Sequence, residues 1–333
     1  MKKSTYYPYL DYLTIIASLA VVILHTSQSA FNFTPEKLHW WLAIFIQISF
    51  IWAVPIFFMI SGATLLDYRQ KYDTKTFMKK RLLRTIIPFV TWSIIWYILT
   101  KHDLNIIHFV KLFTYDKIQP NFWFFYFIIP VYLTLPFVSV FTNKAHLNLV
   151  KYGIMLYVFG VGIIGYSSNL LNADMPDLIA NLPFGVTGGI GFFLIGWYLH
   201  HYPLNKHLAY GLSVIGGLGL ITATLTLSFA SGNTIRDAYS IFSIGGILLP
   251  IGIWVAVQQV HRPPKHPQLI KECASLSLFV YASHPIIIKI ITLLIPNLNN
   301  YVQLLILPVI TWFSCLLMGH YLKKIKLFKL LLI

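Results

Sequence analysis

The sequence predicts an all-α polytopic membrane protein with about ten transmembrane helices and both termini on the cytoplasmic side. Three observations predict it. Hydrophobic residues make up 57% of the 333-residue chain and charged residues 11%, with mean hydropathy +0.70. That is too little charge to cover a soluble domain of this length. The apolar residues gather into about ten runs, each near the roughly 20 residues that cross a bilayer. Lys and Arg then alternate from loop to loop, as the positive-inside pattern requires. We expect residues 1–333 to form one membrane domain.

The first run, 10–31, carries a polar stripe through YLDYLTIIASLAVVILHTSQS. Asp11, Ser18 and His25 recur every seven residues, a drift of about 20° per step on a helix, and Thr14 and Gln28 fall on the same face. His25 lies roughly 21 Å along the axis from Asp11 at about 1.5 Å per residue. An ionisable group among Ile, Leu and Val marks a functional site unless it merely hydrogen-bonds a neighbouring helix. The run is too long, and its leader too short, for a cleaved signal peptide, so Met1–Ala30 is expected in the mature chain.

The second run, 41–65, ends in VPIFFMISGATLL, with Ser61 and Gly62. Just before the third, 84–101, the string KTFMKKRLLRTIIPF sets Arg81 and Arg84 three apart on one helical face, behind Lys79 and Lys80. Guanidinium groups pair bidentately with phosphate, so an anionic ligand entering here would meet this cluster first. Charge alone reads equally well as a topology signal with headgroup contacts. The fourth run, 121–141, opens at Trp123, an aromatic-belt position. Pro55, Pro130 and Pro136 inside these runs suggest kinked helices around a cavity.

The fifth and sixth runs, 150–167 and 182–201, hold Gly160, Gly162, Gly165, Gly188, Gly189 and Gly191, which we expect to permit close helix packing. The seventh and eighth cover 208–229 and 237–260. The ninth, 275–296, contains SLFVYASHPIIIK, where Tyr281 and His284 precede Pro285. That proline removes one backbone hydrogen bond and leaves a carbonyl free. The tenth is 302–322. The stretches 66–83 and 102–121 have the length for short interfacial helices.

Charge placement excludes whole classes of function. Arg69, Lys71, Lys75, Lys144, Lys151, Lys206, Arg262, Lys265, Lys271 and Lys323 sort to the side of the termini. Lys37, Lys101, Lys111, Lys117 and Arg236, with Asp174 and Asp177, sort to the other. The net charge of +15 is therefore a topology signal and not a nucleic-acid surface. Glu36 and Glu272, the only glutamates, lie in loops or at a segment edge, which argues against an ion-coupled transporter. His200 and His201 are adjacent rather than four apart, no HExxH occurs, and Cys273 and Cys315 stand far apart, so no metal is expected. We read His200 and His201 as loop histidines.

Taken in order, several strings resemble the acyltransferase-3 family of bacterial integral-membrane O-acyltransferases. They are the run from Asp11 to His25, PIFFMISG from Pro55 to Gly62, and Arg81-x-x-Arg84 with Pro88. FWFFYFIIPVYLTLP from Phe122, FFLIGWYL from Phe192 and SLSLFVYASHP from Ser275 complete the set. The resemblance implies an acyl donor, acetyl-coenzyme A (acetyl-CoA), and a cell-envelope carbohydrate or lipid-linked sugar as acceptor. It also implies a place in the bacterial cytoplasmic membrane and a stand-alone architecture without an appended esterase-like domain. On it, His25 is the catalytic histidine. Arg81, Arg84 and Lys80 would hold the donor's phosphates, and Asp11, Thr14, Ser18, Trp123, Tyr281 and His284 would line the substrate path. The lipid bilayer, the donor and the acceptor are the expected partners, with a homo-oligomer left open. The family's arginine eleven residues before the histidine is replaced here by Thr14, which brings a hydroxyl but no charge. A sugar exporter using His25 and His284 without covalent chemistry, or an inactive membrane partner, are the rival readings.

Overall fold

A computed structural model describes residues 6–101, 105–115, 117–171, 189–260 and 264–325. The described residues are helices and connecting turns. Eight stretches among them are long and apolar enough to cross a membrane: 8–26, 38–70, 74–100, 120–141, 147–168, 206–231, 236–258 and 277–294. A shorter apolar helix, Leu307–Leu322, occupies the tenth expected position. Of the sixth run, residues 182–188 lie outside the described residues, as do Gly188, Asp174, Asp177 and Arg262. The protein is an all-α, multi-pass membrane protein.

Helix α1, Pro8–Thr26, starts on a proline whose missing N–H costs nothing in a first turn. It stops at Thr26, short of the expected 31, and Gln28–Phe31 form a 3-10 turn. The second run is two helices, α2 (Leu38–Phe50) and α3 (Ala53–Leu65). Pro55 has no N–H for the carbonyl of Ile51, and the chain breaks there.

The largest departure concerns α4, Thr74–Lys101, which begins ten residues earlier than the apolar pattern at 84. Arg81 and Arg84 thus sit within the spanning helix and not before it. Asp73 caps its start, its Oδ2 accepting the N–H of Thr76 at 3.1 Å. Lys, Arg and Leu are good helix formers, so nothing stops the helix before the basic cluster. The interfacial helix expected over 66–83 is accordingly reduced to one 3-10 turn, Tyr68–Gln70. Over 102–121 a short helix does form, α5 (Ile106–Thr114), capped by Asn105.

Then follow α6 (Trp123–Phe141) and α7 (Leu147–Tyr157). A π-helical stretch, Val158–Gly165, leads from α7 into α8 (Tyr166–Leu170). After α9 (Ile190–His201) come α10 (Lys206–Ser231) and α11 (Ile244–Gln258). The chain closes with α12 (Pro267–Ser275), α13 (Ser277–Leu294), α14 (Asn300–Leu305) and α15 (Leu307–Leu322).

Helix α1 is the axis of the bundle, touching α2, α3 and each helix from α11 to α15. Beside it α3 and α9 cross at backbone contact. A Cβ on Gly62 would stand 2.0 Å from the carbonyl oxygen of Phe193, and one on Gly196 2.0 Å from that of Met59. Small residues are what let two helices approach this closely. At the end carrying the N-terminus, Asp67 accepts the indole N–H of Trp197 at 2.9 Å and pairs with His201 Nε2 at 3.0 Å. Tyr9 meets His200 Nδ1 at 2.5 Å at the same end. His200 and His201 are therefore in the last turn of α9, half-buried in a structural network, and not loop residues.

Three basic residues are placed at the two ends of the bundle by their partners. Lys271, over the ring of Tyr6, and Lys323, on Glu272, share the N-terminal end. Arg236 lies over Phe31 at the opposite end, its guanidinium carbon 4.0 Å from the ring centroid.

Candidate active site

The last turn of α1 and the middle of α13 bring two histidines together. The rings of His25 and His284 have centroids 4.9 Å apart and planes inclined by 36°. An apolar seam fixes this register: Val22 of α1 packs with Leu276, which caps α13, with Val280 of α13, and with Trp312, Cys315 and Leu316 of α15. The indole N–H of Trp312 donates to Ser18 Oγ at 2.9 Å, and that hydroxyl donates to the Ile15 carbonyl at 2.8 Å. Ser18 is thus a bolt between α1 and α15.

His284 has no accessible surface, whereas His25 keeps part of its own. The Nδ1 of His284 lies 2.9 Å from the Val280 carbonyl. A carbonyl only accepts, so Nδ1 carries the proton and Nε2 the lone pair. That Nε2 is buried and has no hydrogen-bond partner. Next to it, the Tyr281 hydroxyl donates to the Asn121 carbonyl and joins α13 to the start of α6.

The end of α1 that presents His25 is braced by two residues that sequence reasoning missed. Gln47 of α2 donates to the Leu24 carbonyl at 2.7 Å and to Ser27 Oγ at 2.9 Å. Ser27 in turn donates to the Ile23 carbonyl at 2.8 Å. Carbonyls left over at a helix end need such partners. The signal was available: Gln47 is a lone amide in an apolar run, the same pattern that singles out His25.

A second polar group lies between α3, α4 and α6. Arg81 and Ser61 both lie near the hydroxyl of Tyr132. Three separately noted strings therefore converge, with the buried Tyr132 as the residue overlooked inside one of them. Arg84 and Lys80 do not join this group. Both are exposed, and the Lys80 ammonium sits 3.9 Å from the centroid of the Tyr72 ring. The expected donor cluster is thus split, with one guanidinium turned inward and two cations open to the surroundings.

The remaining candidates are spread along α1 and at the start of α6. Asp11 accepts the Tyr6 hydroxyl at 2.7 Å, and Thr14 donates to the Leu10 carbonyl at 2.8 Å. Trp123 is exposed at the start of α6, its ring edge-on to Phe127 at 6.1 Å. These three stand apart from the histidine pair.

A membrane bundle with a paired-histidine interior and a basic helix start defines a class, and comparison with known families supplies its name. The family model described as Acyltransferase domain, acyltransferase-3, matches residues 7–319, and the chain belongs to that family of membrane acyltransferases. No curated protein and no solved structure matches the chain.

Proposed function

We propose that this protein moves an acyl group, acetyl by expectation, from acyl-coenzyme A to a hydroxyl of a cell-envelope carbohydrate or lipid-linked sugar. The observation that carries the reading is a partly accessible imidazole, His25, held against a second histidine inside the bundle of a chain from this family. An imidazole has an ordinary pKa of about 6.5, close to working pH, which suits it to general-base work. His25 takes the hydroxyl proton as the acceptor oxygen bonds to the thioester carbonyl carbon. The adduct collapses with cleavage of the C–S bond, the electron pair leaves on sulfur, and His25 returns the proton to the coenzyme A thiolate. Asp11 takes no part in orienting His25, since roughly 21 Å of helix separates them.

Arg81, Arg84 and Lys80 are our candidates for the donor's phosphates, and the slender pantetheine arm would run along α1 toward His25. The gathering of basic residues at the N-terminal end supports placing both termini, and this donor entrance, on the cytoplasmic face of the plasma membrane.

The test is transfer of radiolabel from acetyl-coenzyme A to a cell-envelope extract by the purified protein. His25→Ala should lower transfer by about 10²–10⁴-fold, the usual value of a general base, with donor binding and folding retained. A His25→Ala protein as active as the wild type removes this mechanism.

A further inference from the structure

The unused nitrogen of His284 assigns that residue a task. Its one N–H is spent on the Val280 carbonyl, so it can only accept, and at zero exposure it has no access to bulk water. A buried acceptor without a partner is costly to keep unless something uses it. Neighbouring donors are already engaged: the Ser283 hydroxyl with Phe279, the Tyr281 hydroxyl with Asn121, and the Trp312 indole with Ser18. The His25 ring faces it at 4.9 Å between centroids. An N–H···N bond of about 3 Å places two imidazole centroids about 5 Å apart, so the separation of the two rings is the one such a bond requires.

We propose that His284 is the positioning residue for His25: its Nε2 lone pair receives one N–H of His25 and leaves the opposite nitrogen of His25 facing the acceptor hydroxyl. This rests on the reading of His25 as the base. A neutral imidazole has one N–H and one lone pair, so anchoring the first aims the second. When His25 takes the hydroxyl proton, both of its nitrogens carry hydrogen, and the one already on His284 is held without further rearrangement. His284 keeps its own proton on Val280 throughout. A carboxylate in this role would bring a second charge into apolar surroundings at a large desolvation cost. A neutral histidine, with its tautomer locked by the backbone, supplies the acceptor without it.

The pair is tested on the full-length protein with 15N-labelled histidine in detergent, read by nitrogen chemical shifts and by steady-state kinetics. Wild-type His25 should show one protonated and one bare nitrogen, a single tautomer. His284→Phe fills the space without an acceptor and should give mixed tautomers at His25. Its kcat should fall about 10- to 100-fold with the KM for acyl-coenzyme A unchanged. His284→Gln returns a carbonyl acceptor and should recover at least about tenfold of that loss. If His284→Phe does not fold, the shifted His25 N–H resonance in His284→Gln carries the same test. Thr311 of α15, whose buried hydroxyl also has no partner, serves as the control. A His25 spectrum unmoved by His284→Phe, or moved only by Thr311→Val, overturns the proposal. So does a His284→Phe kcat within about twofold of wild type. A wild type that transfers nothing defeats the acyl-transfer reading instead, and the nitrogen spectrum still decides the pair.

Discussion

Two seams hold this bundle together in opposite ways. Where α3 crosses α9, the helices touch through backbone, and nearby polar groups are engaged: Asp67 with Trp197 and His201, and His201 Nδ1 with the Trp197 carbonyl at 2.9 Å. Where α1 meets α13, side chains keep the helices apart, and one ring nitrogen at the centre of the contact is left over. In lipid there is no hydrophobic drive between helices, so the first seam relies on close packing and hydrogen bonds. The second gives up some of that closeness to keep a titratable group in place.

Breaking each seam should therefore give different failures. The largest stability loss is expected for Gly196→Ala and Gly62→Ala, whose new Cβ atoms meet backbone and not a flexible side chain. Overpacking of this kind costs on the order of 3 kcal/mol, because two helices have to separate. Thermal unfolding in detergent should show a lowered midpoint, with donor binding and transfer lost together. Histidine substitutions at the other seam should lose turnover while the midpoint holds. A Gly196→Ala protein with wild-type midpoint would make the crossing looser than described.

Much of this contrast was legible beforehand, and the rest was hidden for physical reasons. The isolated His25 and His284 stand out because charge-capable groups are rare in apolar runs. That they face one another does not, since the azimuth of α13 against α1 depends on Trp312, Cys315 and Leu316 of a third helix. The break at Ile51 follows from Pro55, yet length alone joined α2 and α3 into one segment. The early start of α4 was missed because hydropathy marks where apolar residues begin, whereas a helix begins at its cap, here Asp73. Gln47 escaped notice because an amide carries no charge to attract attention.

A smaller effect separates the inward and outward arginines. If Arg81 and Arg84 hold the donor's phosphates as proposed, Arg84→Ala and Arg81→Ala each remove a charge-assisted contact worth about 1.5–3 kcal/mol when well formed. Donor affinity measured by calorimetry should fall tenfold or more in each. Arg81→Ala should in addition lower the unfolding midpoint, because Tyr132 and Ser61 lose the guanidinium between α4 and α6. Equal midpoints in the two variants would return Arg81 to the surface cluster. Unchanged affinity in both would leave the basic helix start as a topology signal alone.

The smallest effect belongs to a third seam, at the end of the bundle, where α12 meets α15. Glu272 pairs with Lys323 and with His320 Nδ1, the latter at 2.7 Å. Its hydrogen bond to Lys323, then that to His320, holds its carboxyl below the ordinary value of 4.5. A carboxyl depressed on folding stabilises above its unfolded pKa, and the benefit is lost as pH falls through the folded one. The pair lies near the surface, where solvent and salt screen it, so about 0.2–1 kcal/mol is the expected scale. Glu272→Gln should lower the unfolding midpoint slightly at pH 7 and in low salt. The difference from wild type should shrink in high salt and vanish at a pH below the depressed carboxyl value. A gap that persists in acid would mean that Glu272 acts through packing and not through charge. This seam would then resemble the α3–α9 crossing, built on fit, more than the histidine contact.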